Sequence, residues 1–443
     1  MSVVELPLSE GLVLRSVSAG YAADRVNLAE FYMRIFGIND DDAQSLGLWT
    51  EDLLSDEHPT TTDDDIWVVV DTAHESRIVS ALLLIPQTWR YEDVPFGVGR
   101  VELVATDPDY RRRGLIRSLM QQAHKRSESL GHLVQGITGI PHYYRQFGYS
   151  MAVELGTRSL LPLSAIPPQK DGEQPRFTLR PAEDTDISNL IAWDIYHADQ
   201  VLLSMIRTEQ EWGFELNQRQ PASGPYIRVF IIQQDDGPDA GYVALLYSRY
   251  FDVVRCVGYA VGEESSYLAT YLDVIRGIKE IAENAEQDKR ITHLQFSADL
   301  SETLDTLVRT TPMGVLLPFS YAWYIRIPDT GAFIRHIAPV LERRLAGSGA
   351  NRYTGELKIA FYDLTGVIIR FENGRIVDAQ QETLNYEQAH AALPFHMFHN
   401  LVMGHRDLNE IRNVLPDAFA NREARVLLEI LFPKKRSGFY ALA

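Results

Sequence analysis

The stretch of this 443-residue chain best suited to chemistry is Val101-Glu102-Leu103-Val104-Ala105-Thr106-Asp107-Pro108-Asp109-Tyr110-Arg111-Arg112-Arg113-Gly114-Leu115-Ile116-Arg117. Its apolar opening predicts a strand over 100–106, and the periodicity from Gly114 predicts a helix over 114–130. A basic turn with a glycine, set between strand and helix, is suited to phosphate. The helix start offers unpaired N–H groups and the positive end of a dipole. Gly114 lets the backbone approach an anion with no Cβ in the way. Arg112, Arg113 and Arg117 add charge-assisted hydrogen bonds. Solvated arginines on a basic helix start are the plainer reading, but this order of strand, arginines, glycine and helix is more specific than a lone glycine motif.

Other constellations do not assemble. His396, His399 and His405 lie near one another in sequence, yet no carboxylate or cysteine accompanies them at metal-ligand spacing, so no metal is expected. There is no Gly-x-Ser-x-Gly elbow. Cys256, the single cysteine, stands in an apolar run and reads as core.

The elements that must position the basic turn read as a mixed α/β fold with helices crossing a sheet. Strands are predicted over 12–17, 66–71, 80–86 and 133–138, with a helix over 22–36. The acidic clusters Asp40-Asp41-Asp42, Asp56-Glu57 and Asp63-Asp64-Asp65 read as solvated loops. Residues 161–175, rich in proline and polar residues, read as an interdomain linker. Beyond it the opening pattern returns. A strand over 177–180 precedes a helix over 187–196, and a strand pair over 227–232 and 241–247 is followed by a helix over 265–287 and a strand over 293–297. This suggests a tandem duplication. The last third differs: a strand over 323–327, a helix over 330–346, strands over 356–361, 366–371 and 375–378 with a Glu372-Asn373-Gly374 turn, and helices over 386–393, 395–402 and 407–414. The domain boundaries expected are 1–165, 175–318 and 319–443.

Composition narrows the function classes. With 45% apolar and 23% charged residues, the chain has an ordinary globular balance. No apolar run approaches the ~20 residues of a spanning helix, and no signal peptide is visible at the start. The chain reads as cytoplasmic. Against 60 Asp and Glu stand 42 Lys and Arg, a net charge of −18. That field disfavours nucleic acid and anionic membranes and favours cationic small molecules.

The motif Arg111-x-x-Gly114-x-Ile116 after a strand resembles the signature of the GNAT family of acetyl-coenzyme A-dependent N-acetyltransferases. Ile116 stands where that family generally has a small residue. Arg111-Arg112-Arg113-Gly114-Leu115-Ile116-Arg117, followed by Tyr143-Tyr144-Arg145-Gln146-Phe147-Gly148-Tyr149, is similar to one subgroup, the enhanced intracellular survival (Eis) acetyltransferases. The resemblance spans the chain. It implies two tandem GNAT domains and a C-terminal domain of sterol carrier protein type, with acetyl-CoA as co-substrate, cationic amines or lysine side chains as acceptors, and a homo-hexamer.

Residue by residue, the resemblance implies that Val104, Ala105 and Thr106 bond the pantetheine arm through their backbone. Arg112, Arg113, Gly114, Leu115, Ile116 and Arg117 would hold the pyrophosphate, and Gly139 and Ile140 would lie near the acyl end. Tyr144 matches the general acid, and a neutral phenol of pKa ~10 suits the protonation of a departing thiolate; Tyr143 is the neighbour that could take its place. The base implied is the terminal carboxylate of Ala443, carried on a tail that follows Lys434-Lys435-Arg436. The second copy has no such turn: Val257-Gly258-Tyr259-Ala260-Val261-Gly262-Glu263-Glu264 brings acids to its helix start, so one cofactor site per chain is expected. Two alternatives stay open, a GNAT enzyme of other specificity with no role for its terminus and an apolar-ligand-binding protein with vestigial GNAT domains.

Overall fold

Runs of Val, Ile, Leu and Trp suit a pleated surface, and they become the strands of three sheets. The computed structural model describes residues 5–155, 157–247, 252–284, 291–297, 302–316 and 321–438. The first region holds β1 (Glu5–Pro7), β2 (Leu12–Ser16), α1 (Ala22–Phe36), α2 (Asp40–Leu54), β3 (Ile66–Asp71), β4 (Arg77–Tyr91), β5 (Val94–Thr106), α3 (Leu115–Ser129), β6 (Val134–Ile137) and β7 (Ser150–Leu155). The second holds β8 (Thr157–Pro162), β9 (Phe177–Pro181), α4 (Ile187–Ala198), β10 (Leu203–Met205), α5 (Glu209–Gly213), β11 (Arg228–Gln234), β12 (Gly241–Tyr247), β13 (Val253–Val261), α6 (Tyr267–Glu283), β14 (His293–Ser297), α7 (Glu302–Thr310) and β15 (Val315–Leu316). β16 (Tyr321–Arg326) leads into α8 (Thr330–His336), α9 (Ala338–Ala346), β17 (Gly355–Ala360), β18 (Thr365–Glu372), β19 (Arg375–Thr383), β20 (Ala391–Ala392), α10 (Phe395–Val402), α11 (Leu408–Val414), β21 (Phe419–Ala420) and α12 (Arg422–Leu431).

The first two sheets repeat one topology. The first runs β1-β2-β3-β4-β5-β6-β16-β7, and the second β15-β8-β14-β13-β12-β11-β9. Each has one parallel pair, β5 with β6 and β13 with β14, joined through the crossing helices α3 and α6. The duplicated pattern read from the sequence is therefore a duplicated sheet. Its strands are also exchanged. β16, which the sequence places with the last third, lies in the first sheet between β6 and β7. β8 follows the first region but pairs with β14 and β15 of the second. The first sheet is thus completed by a strand that follows the second sheet in the chain, and the second by a strand from within the expected first domain, 1–165.

The third sheet runs β19-β18-β17-β20-β21. Its core is continuous with that of the first sheet: Trp89, Tyr91 and Phe96 pack in one cluster with Phe333, Phe398 and Leu428. Burying each such side chain contributes roughly 1.5–3 kcal/mol, so the two regions are joined by a shared core.

Three local expectations are corrected. Asp40, Asp41 and Asp42 form the first turn of α2 and are not a loop. Asn39 caps that helix and three carboxylates meet the positive end of its dipole. Asp65 is also buried, bonded by Arg126 at 2.7 Å. The single helix over 330–346 is two, because Pro339 lacks the N–H that a continuous helix would use. The helix expected over 386–393 is reduced to one short turn, Tyr386–Gln388; Ala391 and Ala392 pair with Ile359 and Ala360 instead, and sheet completion overrides local propensity.

Candidate active site

Strand β5 carries a bulge. Leu83 pairs with Glu102 and Ala81 with Ala105, which leaves one extra residue on β5, and Leu103 takes a φ of +50°. Bulges bend a strand and redirect it. The ladder between β5 and β6 runs only from Val98–Val134 to Val101–Ile137, while β5 continues to Thr106. A gap opens between them. The Asp107 N–H bonds Val79 O at 2.8 Å across β4. In the alternation of an antiparallel ladder, Val104 and Thr106 then turn their backbone groups to the opposite side, into the gap. Ala105 faces β4, where its carbonyl accepts from Ser80 Oγ at 2.9 Å.

Asp107 anchors the end of the strand. It is buried and takes ion pairs from Arg34 at 2.6 Å and Arg77 at 2.7 Å, which hold its carboxyl below the usual carboxylate range against the opposing effect of burial. The basic turn follows. Arg112 has a φ of +64°, and Gly114 precedes α3 with a φ of +78°. A Cβ placed on Gly114 would meet nothing within 4 Å. The helix start has no side-chain cap and no acid in its first turn. Open space, unpaired N–H groups and arginines thus coincide, and this fits a pyrophosphate. Arg113 pairs with Glu10 at 2.8 Å and lies over the Tyr110 ring. Arg117 bonds Gln146 at 3.3 Å and lies over Phe147. Arg112 is exposed and makes no ion pair among the described residues. Leu115 is buried and Ile116 half-buried, so these two contribute backbone rather than side chain to the turn.

Past β6 the chain turns through Gly139, at a φ of +123°, and exposed Ile140. It then enters a short helical turn, Tyr143–Phe147. Tyr144 is buried, with its hydroxyl 3.7 Å from where a Gly139 Cβ would stand. Its ring meets Tyr143, Tyr149 and Tyr324 edge-on, with centroids at 5.2, 6.4 and 5.6 Å. Burial first, and then Glu102 and the neighbouring tyrosines, push the Tyr144 phenol up. It stays protonated at neutral pH and its hydroxyl has no hydrogen-bond partner among the described residues, so it is a free donor. Tyr143 is half-buried, and burial pushes its phenol up against the opposing charge of Arg117.

Residues 22–152 match the acetyltransferase (GNAT) domain family. The match covers under a third of the chain and makes this region similar to GNAT acetyltransferase domains. Three solved structures share the fold of the whole chain. A GCN5-related N-acetyltransferase from Anabaena variabilis aligns at a TM-score of 0.65 and 13% identity, over 94% of this chain and 97% of that one. A conserved protein of unknown function from Enterococcus faecalis, described as a probable N-acyltransferase, aligns at 0.64 and 12%, over 100% and 99%. Eis1 from Mycobacterium abscessus aligns at 0.59 and 12%, over 96% and 99%. A search of curated proteins found no match. The GNAT family uses acetyl-CoA as co-substrate, and its acetyltransferases act on amines.

Sequence reasoning missed three residues beside this GNAT site. Glu102 stands at the apex of the gap, paired with Arg100 at 2.6 Å. Tyr321 and Tyr324 arrive on β16, and no local signal in the sequence points them at a loop some 180 residues upstream. Among the described residues, no helix is long and apolar enough to cross a membrane, and no group of three or more His, Cys, Asp and Glu side chains could hold a metal ion. Ala443 lies outside the described residues.

Proposed function

We propose that the chain is an N-acetyltransferase of the Eis type, moving acetyl from acetyl-CoA to a cationic amine: an aminoglycoside-like compound, a polyamine or a lysine side chain. The observation that carries this reading is the gap between β5 and β6, with the open Gly114 cradle beyond its end and the Tyr144 phenol by its apex. Acetyl-CoA supplies the thioester and its thiolate leaving group. The backbone of Val104 and Thr106 offers an extended partner the hydrogen bonds of an added strand. Arg112, Arg113 and Arg117, with the N–H groups of Gly114, Leu115 and Ile116, bind the pyrophosphate. Gly139 and Ile140 border the acyl end, and Tyr144 donates its proton as the thiolate departs. The fold shared with Eis1 across 96% of the chain supports the assignment, as does the net charge of −18 for a cationic acceptor. Residues 319–443 serve as a sterol-carrier-like domain whose tail returns to the GNAT domain.

The base in this reading is the Ala443 carboxylate. Three consecutive basic residues direct the tail. Lys434 pairs with Glu410 of the third region at 2.6 Å, Lys435 with Glu92 of the first at 3.1 Å, and Arg436 with Asp305 of the second at 2.8 Å. The Gly438 N–H then bonds Leu203 O at 3.0 Å, on the strand that pairs with Trp89, Arg90 and Tyr91 of β4. Five further residues, fully extended, reach about 17 Å. A second reading gives base duty to Glu102, whose carboxylate stands close enough to raise the Tyr144 phenol. Residues added after Ala443 move the terminal charge away. Thiol release from acetyl-CoA should then fall ~10²–10⁴-fold while acetyl-CoA still stabilises the fold, by ~2.7 kcal/mol at 100 Kd. A tagged chain with full turnover, and loss of turnover in Glu102→Gln, would move the base to Glu102. No stabilisation of the unmodified chain by acetyl-CoA would sink the transferase reading.

A further inference from the structure

The loop between β6 and Tyr143 holds two backbone positions in the left-handed half of conformational space: Gly139 at a φ of +123° and His142 at +69°. Glycine takes such angles freely, but histidine does so at a cost in strain, and strained positions persist only where their surroundings over-determine them. Both ends of this loop are held by one strand. The Tyr321 hydroxyl donates to Gly139 O, and the Tyr324 hydroxyl accepts from the His142 N–H. Each contact spans 182 residues of sequence.

The strand that makes them is itself immobilised on both edges. β16 pairs with β6 through Tyr324–Ile137, Ile325–Gly136 and Arg326–Gln135, and with β7 along Tyr321–Leu155 to Ile325–Ser150. Tyr324 is fully buried, and its ring packs on that of Tyr144. Burial and the adjacent Tyr324 push the Tyr321 phenol up to about 12, so it remains a donor at neutral pH.

We infer that Tyr321 and Tyr324 are positioning residues for acyl transfer: by clamping Gly139 and His142, the exchanged strand sets where Tyr144 and the acyl-end loop stand. The GNAT domain is therefore incomplete without the chain that follows the second sheet. The inference rests on the transferase reading for its kinetic consequence, but the clamp itself is testable without turnover.

The decisive variant is Tyr324→Phe, which keeps the ring and removes the acceptor. In the full-length chain, amide exchange at His142 should accelerate at least about tenfold. The acetyl-CoA dissociation constant, read by calorimetry, should stay within about threefold. With spermidine, kanamycin and poly-lysine as acceptors, kcat should drop about 10–100-fold with little change in KM, the scale of a catalytic group displaced by about 1 Å. His142→Gly in the Tyr324→Phe background should recover most of that loss, because glycine adopts the loop angle unaided; a packing defect would not be rescued this way. Tyr321→Phe should show the same pattern more weakly. Unchanged His142 exchange overturns the clamp. Faster exchange with kcat within twofold of the unmodified chain overturns the positioning role, and so does a kcat loss that His142→Gly fails to recover. If the unmodified chain neither binds acetyl-CoA nor releases thiol, the transferase reading falls and takes the positioning role with it, whereas the exchange result still decides the clamp.

Discussion

The first and second sheets share a bulge, a parallel pair and a gap, but among the described residues the second gap is filled by the chain's own side chains. In the second, β13 pairs with β14 from Val253–His293 to Cys256–Phe296 and then continues to Val261 paired only with β12. The Gly262 N–H bonds Ala240 O at 2.9 Å across β12, so three residues earlier Tyr259 turns its carbonyl into the gap. Tyr267, the first residue of α6, fills it: its hydroxyl donates to Tyr259 O at 2.9 Å and the two rings meet at 5.1 Å. Ser266 closes the helix start as well, accepting from the Ala269 N–H at 3.2 Å. The acids Glu263 and Glu264, expected to repel a phosphate there, precede the helix and stand outside its first turn. One copy leaves backbone donors and acceptors without a partner among the described residues, and the other satisfies them with its own side chains. The difference turns on two positions at each helix start, Gly114-Leu115 against Ser266-Tyr267.

That contrast is breakable by mutation. The largest effect is expected from Tyr144→Phe, which should lower kcat ~10²–10⁴-fold and leave acetyl-CoA affinity within a few fold, because the proposed reaction uses the hydroxyl as the thiolate leaves. If Tyr143→Phe shows this loss instead, the acid is the neighbouring ring. Gly114→Val should weaken acetyl-CoA binding by about 100-fold or more in calorimetry with the fold retained, since a branched side chain both fills the cradle and resists a φ of +78°. Unchanged affinity would refute the phosphate assignment and erase the contrast.

Tyr267→Phe is the converse. Removing its hydroxyl leaves the buried Tyr259 carbonyl unsatisfied and should cost about 1–2 kcal/mol in denaturant unfolding. The acetyl-CoA stoichiometry should remain one per chain, because Ser266 still caps the second helix start. A stoichiometry of two would mean that the tyrosine alone plugs it.

A test graded in pH asks whether the regions unfold as one body. Burial holds His197 of the second region down to about 4 and His124 of the first, where Arg326 adds to it, to about 4 as well. His399 of the third, bonded to Ser150 of the first at 2.5 Å, is held at about 3 by burial before its cationic neighbours. These folded-state values lie below the ~6.5 of an unfolded chain, so the unfolded state binds more protons between them. The stabilisation is complete above ~6.5 and is lost as pH falls toward 4, by up to about 1.4 kcal/mol per pH unit for each histidine. Tm should therefore fall between pH 7 and pH 5, with near- and far-ultraviolet circular dichroism moving together. Separate transitions would show that the shared core does not couple the regions.

Much of the candidate site was legible because it is local. A strand, a basic turn, a left-handed glycine and a helix follow one another within 17 residues, and each depends on its immediate neighbours. Helix 22–36 and the strands at 66–71, 241–247 and 293–297 were likewise readable from period and composition alone. The missing parts share one property. Glu102 acquires its place from a bulge that the strand's composition does not reveal. Tyr321 and Tyr324 acquire theirs from an exchange of strands, and the contact they make closes a loop of 182 residues.

The sequence by itself determined the duplicated order of elements, the phosphate-suited turn and the acidic balance of the surface. It did so because periodicity, glycine and charge act over a few residues. Tertiary structure alone decided that β8 and β16 trade sheets, that Tyr267 plugs the second gap, and that Asp42 and Asp65 are buried. Those outcomes depend on which surfaces meet, and the free energy of burying them against one another exceeds the local preferences that a reading along the chain can weigh.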